Sequence, residues 1–117
     1  MVYLTLNFTE KELQCPCCSA CKMDKTFLFK LQKLREALGK PLRVSSGYRC
    51  KTHNEKVGGV SNSKHLLGKA ADIIISTSPV RYMVLREAIK LGFSGIGVYS
   101  NFIHLDTRDE RACVWVG

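Results

Sequence analysis

Long apolar runs are missing from this 117-residue chain. Crossing a bilayer takes about 18 apolar residues in succession, and the longest run here, "AADIII" at 70–75, is interrupted by Asp72. No membrane insertion is expected. The amino terminus, "MVYLTLNFTEKEL", has no basic leader, continuous apolar segment or small-residue cleavage site, so it does not read as a secretory signal and synthesis in the cytoplasm is expected. Low-complexity tracts, repeats and linkers are also missing, and the length suits one folded domain over 1–117, its Cys-rich segment 1–23 packed on the rest. Acidic residues are scarce: ten Asp and Glu face eighteen Lys and Arg, a formal charge of +8. Most of the excess lies between Lys22 and Lys56, where ten basic residues meet Asp24, Glu36 and Glu55, a net +7. Such a balance draws polyanions of any kind. The basic residues are not interleaved with aromatics, so no specific nucleic-acid partner is expected.

The residues that are present spell out an α+β pattern. Thr9 with Glu12 forms a capping box that starts a short helix before Pro16. Asp24 caps a longer helix in which Phe27, Leu28, Leu31, Leu34 and Leu38 recur at helical steps, and Gly39 with Pro41 ends it. "LRVSS" (42–46) alternates as a strand, and the turn-rich stretch 47–63 is long enough to suggest a functional loop. "AADIII" reads as a buried strand, and Ser78-Pro79 opens a helix that runs to about Leu91 before Gly92. "GIGVY" (95–99), "FIHLD" (102–106) and "ACVWV" (112–116) follow as strands at hairpin spacing. Helices packed on a mostly antiparallel sheet are expected.

Asp72 beside Ile73, Ile74 and Ile75 raises a question of cost, since a buried carboxylate without a partner is strongly unfavourable. His65, in a Gly/Ser-rich loop, and His104, in a later strand, could supply that partnership through a shared cation. Two imidazoles and one carboxylate make a three-ligand set for zinc that leaves a position open.

The segments "SSGYRC…HN…VGG…NSKHLLGKAADI" and "GFSGIGVYSNFIHLDTR" carry a resemblance over about residues 24–116. They resemble the M15 family of zinc peptidases, the D-Ala-D-Ala carboxypeptidase and phage endolysin group, in its short single-domain branch. The resemblance implies a hedgehog/DD-peptidase-like fold, with His65, Asp72 and His104 as ligands of a catalytic Zn2+ and Arg49 holding a substrate carbonyl or carboxylate. Many relatives place an acidic residue three positions before the last His; this chain has Asn101 there. Asp106, sharing a strand face with His104, is the nearest substitute as catalytic base, or alternatively an acceptor for an imidazole N–H or a partner of Arg108. Ser63 and Tyr99 are substrate-binding candidates, whereas His53 is expected to be structural and Trp115 to lie in the core.

Cys15, Cys17, Cys18 and Cys21 crowd one loop, with Cys50 and Cys113 far along the chain. A structural Zn2+ or a disulfide drawn from Cys15, Cys17, Cys18, Cys21 and Cys50 is expected, one version pairing Cys18-x-x-Cys21 with Cys50-x-x-His53. Cys113 reads as a small apolar strand residue. The expected function is zinc-dependent hydrolysis of an amide bond in peptidoglycan stem peptides, as a carboxypeptidase or endopeptidase. The setting would be a monomeric phage or prophage lysin that acts at the bacterial cell wall after holin-type release. The alternative is a catalytically silent zinc module that binds wall peptide or a protein partner.

Overall fold

The computed structural model describes residues 1–117. Helix α1 (Glu10–Leu13) is set by the expected capping box, with the Thr9 hydroxyl accepting from Glu12 N–H and the Glu12 carboxylate accepting from Thr9 N–H. Helix α2 (Lys25–Leu38) starts where the Asp24 carboxylate accepts from the Phe27 N–H at 2.9 Å and stops at Gly39 in the left-handed conformation. Its apolar stripe, Phe27, Leu28, Leu31, Leu34 and Leu38, is buried. Helix α4 (Ser78–Leu91) has Thr77 as its cap and Gly92 as its stop, and it packs on α2. A further short helix, α3 (Lys51–Lys56), lies inside the stretch read as loop. Lys, Thr, His, Asn and Glu give it no apolar periodicity, so only its cap at Cys50 marks it locally.

Five strands form one sheet in the order β1-β2-β4-β3-β5: β1 (Val44–Ser46), β2 (Ala70–Ile74), β3 (Gly95–Val98), β4 (Phe102–Asp106) and β5 (Cys113–Val116). Every pairing is antiparallel except β3 with β5, which is parallel. The last strand therefore departs from the expected hairpin: it passes β4 and adds to the far side of β3. Residues 107–112 are thereby left to cross the end of the sheet.

Strand alternation separates two chemistries. Ala71, Leu105 and Ile96 stand in register on one face, as do Ile73, Ile103 and Val98, and the buried members join the α2 and α4 stripes in one core with Phe8 and Leu13. Because successive side chains point to opposite faces, Asp72 lies on the other face, between two core residues along the chain but not among them. The amino-terminal segment closes one end of the core, tied down by Gln32, whose side-chain oxygen accepts from Thr5 Oγ1 and Asn7 N–H. Gly68 ends a 3₁₀ turn (Lys64–Leu67) with φ of 69°. A Cβ there would meet the Lys22 carbonyl oxygen, so glycine is required both for the turn and for the close approach of the two segments.

Candidate metal centre and active-site cleft

One row crosses the functional face of the sheet: Ser46 opposite Asp72, Asp72 opposite His104, His104 opposite Gly97, and Gly97 opposite Trp115. Strand register alone thus brings Asp72 and His104 together, although they lie 32 residues apart in the chain. His65 arrives from the 3₁₀ turn that precedes β2, where the Ser63 hydroxyl accepts from the His65 N–H. The three side chains converge at the wall of a cleft of ≈ 380 Å³ that also includes Arg49, Tyr99 and Trp115.

Hydrogen bonding sets which imidazole nitrogens face inward. The Gly47 carbonyl lies 2.7 Å from His65 Nδ1, which makes that nitrogen the donor and leaves the Nε2 lone pair facing Asp72 Oδ1 at 3.3 Å. On His104, Nε2 donates to Asp106 Oδ2 at 2.7 Å, so the Nδ1 lone pair faces the same Asp72 oxygen at 3.0 Å. In neutral imidazoles, three lone-pair atoms therefore point at one another, an arrangement that a shared cation resolves. The ligand atoms of His65, Asp72 and His104 all lie within 4.8 Å of one another. Two nitrogens and one oxygen fit zinc in a site with a free position. Without a shared cation, protonated rings would take that part: burial pushes the Asp72 carboxyl up, but hydrogen bonds to the His104 and His65 rings, and their positive charge when protonated, outweigh it and hold it well below the ordinary carboxylate range. Burial lowers His104, yet its bonds to Asp106 and Asp72 raise it above the ordinary histidine value.

Arg49 is the cationic arm of the cleft. Its Nε donates to Ser46 Oγ at 3.1 Å, Nη1 to Asn54 Oδ1 at 3.3 Å and Nη2 to Asp72 Oδ2 at 3.4 Å. Glu55, the nearest acidic residue along the chain, is not among its partners. Asn54, inside the stretch 47–63 read as turn-rich, is buried in α3 and also donates to the Val60 carbonyl at 2.8 Å. Polar residues in a short helix give no local sign of such a bridging role.

Asp106 is placed differently from the expectation of a catalytic base. It is fully buried and does not line the cleft. One carboxylate oxygen accepts from Arg108 Nε at 2.9 Å and Arg108 N–H at 3.1 Å; the other accepts from Arg108 Nη2 and His104 Nε2, each at 2.7 Å. Burial raises its carboxyl, and the Arg108 and His104 bonds more than reverse that, so it stays ionised behind the ring. The alternative role as acceptor of the imidazole N–H and partner of Arg108 matches this geometry; access to water in the cleft does not. Gly95 makes the arrangement feasible, because a Cβ there would overlap the Asp106 carboxylate.

Asn101 does not line the cleft either. Its backbone oxygen accepts from Ile75 N–H. The cleft carboxylates are Asp72 and Glu110, the latter drawn in by Lys64 at 2.5 Å. Glu110 sits on the connection to β5, and hairpin reasoning gave no reason to single it out. Ser63 and Tyr99 both line the cleft, Ser63 at the base of the His65 turn and Tyr99 with its ring stacked on Phe102 at 4.4 Å. Trp115, expected in the core, instead forms part of the wall. Its Nε1 donates to Tyr99 Oη at 2.9 Å, and its ring lies 5.3 Å from that of His104 and beneath Arg108. The parallel placement of β5 turns Trp115 to the functional face.

The cysteines also fall differently from the pairing written with Cys21 and His53. The Sγ atoms of Cys15, Cys17, Cys18 and Cys50 gather within 4.8 Å of one another, and all six cysteines are free thiols. Cys21 packs against the core and His53 stays outside the cluster. Cys113 lies exposed on β5 instead of being packed as a small apolar residue.

A family model described as Peptidase M15 matches residues 3–106. The zinc D-Ala-D-Ala carboxypeptidase of Streptomyces albus G is 51% identical over 47 residues, covering 39% of this chain and 18% of that protein. A Haemophilus influenzae protein named "Probable peptidoglycan L,D-endopeptidase MepK" is 35% identical over 106 residues, covering 82% of this chain and 55% of its own length. The chain thus spans about half or less of these relatives.

Proposed function

Because the chain belongs to the Peptidase M15 family, we propose that it is a zinc-dependent peptidase that hydrolyses an amide bond in peptidoglycan stem peptides. The observation that carries this reading is the convergence of His65 Nε2, Asp72 Oδ1 and His104 Nδ1 at the wall of an open cleft. These three atoms would hold the ion. When bound, zinc supplies Lewis acidity that polarises a carbonyl and lowers the pKa of water toward about 7.

The chain's own residues supply position and charge. Ser63 and the Gly47 carbonyl fix the turn and tautomer of His65, while Asp106, itself locked by Arg108, fixes those of His104. Arg49 presents a guanidinium braced by Ser46 and Asn54, suited to a peptide carbonyl or terminal carboxylate. Glu110, kept ionised by its bond to Lys64, is the cleft carboxylate not engaged by the imidazoles and is assigned as proton acceptor. Tyr99 and Trp115 form an aromatic wall against which a short peptide can lie. Action at the cell wall is supported by the relative named as a peptidoglycan L,D-endopeptidase; the lysin setting, in which a phage or prophage protein reaches the wall after holin-type release, is part of the same proposal and rests on the sequence resemblance alone.

The test is hydrolysis of a defined set of muropeptides, with products weighed by mass spectrometry before and after zinc removal and restoration. Turnover that disappears on chelation, returns with zinc and is absent in Asp72→Ala supports the reading. Turnover that survives complete zinc removal overturns it. A second reading, a silent module that binds wall peptide, draws on the inaccessibility of Asp106 and on Asn101. Zinc-dependent retention on purified wall without any released product would select it.

A further inference from the structure

We propose that Cys15, Cys17, Cys18 and Cys50 form a second metal site, a tetrathiolate zinc centre that fastens the amino-terminal loop to the segment carrying Arg49. The sulfur positions carry the inference. Cys15 Sγ lies 3.7 Å from Cys17 Sγ and 3.6 Å from Cys50 Sγ, and Cys17 and Cys50 are 3.3 Å apart. Four sulfurs each about 2.3 Å from a central zinc would be separated by about 3.8 Å along the tetrahedral edges. A disulfide requires about 2.05 Å. Ordinary hydrophobic packing does not explain the cluster either, because Cys17 and Cys18 are exposed.

The backbone is shaped around these sulfurs. Cys15 N–H donates to the Ala20 carbonyl and Ser19 N–H to the Cys15 carbonyl, closing a tight loop in which Ser19 takes a φ of 62°. That turn folds Cys17 and Cys18 back toward Cys15. Cys50 arrives from 35 residues downstream, held by the Tyr48 N–H bond to the Leu13 carbonyl. Backbone donors are aimed at sulfur, Cys50 N–H at Cys15 Sγ and His53 N–H at Cys50 Sγ, at 3.5 and 3.4 Å. Such donors steady thiolate ligands. A sulfur-only tetrahedral set selects zinc over hard cations such as magnesium or calcium.

The site has a mechanical consequence for the cleft. Within four residues, Gly47 supplies the carbonyl that orients His65, Arg49 enters the cleft, and Cys50 joins the thiol cluster. A metal at the cluster therefore braces both groups from behind.

The test uses the full chain, purified under reducing conditions, with zinc counted by plasma mass spectrometry. About two equivalents are expected for the native protein, and about one each for Cys17→Ser/Cys18→Ser and for His104→Ala. Cys113→Ser should retain both. Loading the native protein with cobalt should produce sulfur-to-metal charge-transfer absorption, which a His/Asp site cannot give, and this decides the matter even if the double variant does not fold. Absence of that absorption, or a single zinc lost in His104→Ala, overturns the thiolate centre. So does an intact mass lighter by about 2 Da per cysteine pair, the mark of disulfides. If the metal bound by the native protein is lost in Cys17→Ser/Cys18→Ser and unchanged in His104→Ala, the thiolate centre stands and the cleft assignment fails.

Discussion

Replacing Asp106 by Asn separates two roles for a carboxylate that sequence reasoning could not distinguish. The substitution keeps shape but removes charge from a group that is fully buried and receives four hydrogen bonds, three from Arg108 and one from His104. Breaking a buried ion pair costs about 3–5 kcal/mol. Arg108 keeps some access to water, its side chain being 20% exposed, and the amide oxygen can still accept one bond, so a loss of about 2 kcal/mol is expected. For a chain of this size that lowers Tm by roughly 8 °C. The larger consequence lies at His104. Without an anionic acceptor, Nε2–H is no longer anchored and Nδ1 becomes a poorer donor to metal, so zinc affinity at the cleft should fall about 10- to 100-fold, or about 1.4–2.7 kcal/mol. Competition against a chromophoric chelator measures the affinity, and turnover at saturating zinc measures what remains of catalysis. Recovery of most activity once zinc is saturating is the expected result. Unchanged zinc affinity with turnover abolished at every zinc concentration would refute the positioning role and restore Asp106 as the base.

Three other substitutions probe the same cleft. Arg49→Lys keeps a positive charge but cannot reproduce the braced fork on Ser46 and Asn54, so kcat/KM should drop about 10- to 100-fold with zinc content unchanged; an unaltered kcat/KM would remove Arg49 from substrate binding. Glu110→Gln should lower kcat about 100-fold or more while leaving zinc content and fold intact, and normal turnover would exclude it as proton acceptor. Gly95→Ala drives a methyl into the Asp106 carboxylate; thermal melts should show a loss of about 2–3 kcal/mol together with weaker zinc binding, and a melt identical to the native protein would mean that the strand yields without disturbing Asp106.

Local chemistry made much of the fold readable in advance. Helix α2 is declared by Asp24, an apolar stripe from Phe27 to Leu38 and Gly39, and α4 by Ser78, Pro79 and Gly92, because each feature acts within a few residues of itself; the Thr77 cap came only with the structure. Alternation marked β1, and the short apolar run at 70–75 marked β2, for the same reason. The motif around His65 and Asp72, with the later His104, was enough to indicate a zinc peptidase by resemblance. The polar helix α3 escaped because nothing in its composition repeats, and Asn54 escaped with it.

What the sequence by itself determined is the set of elements and the chemical types available to a site: two imidazoles, an acid, an arginine and a knot of thiols. Only the tertiary structure decided which of them meet. The register of β2 against β4 sets Asp72 beside His104, the burial of Asp106 behind that ring removes it from the cleft, and the parallel addition of β5 to β3 turns Trp115 into the wall. Cys50, and not Cys21 or His53, completes the thiol cluster through contact with a loop 35 residues away. The reason is physical: caps and periodicity act between near neighbours, whereas strand register and loop docking are selected by how the whole chain closes over one core.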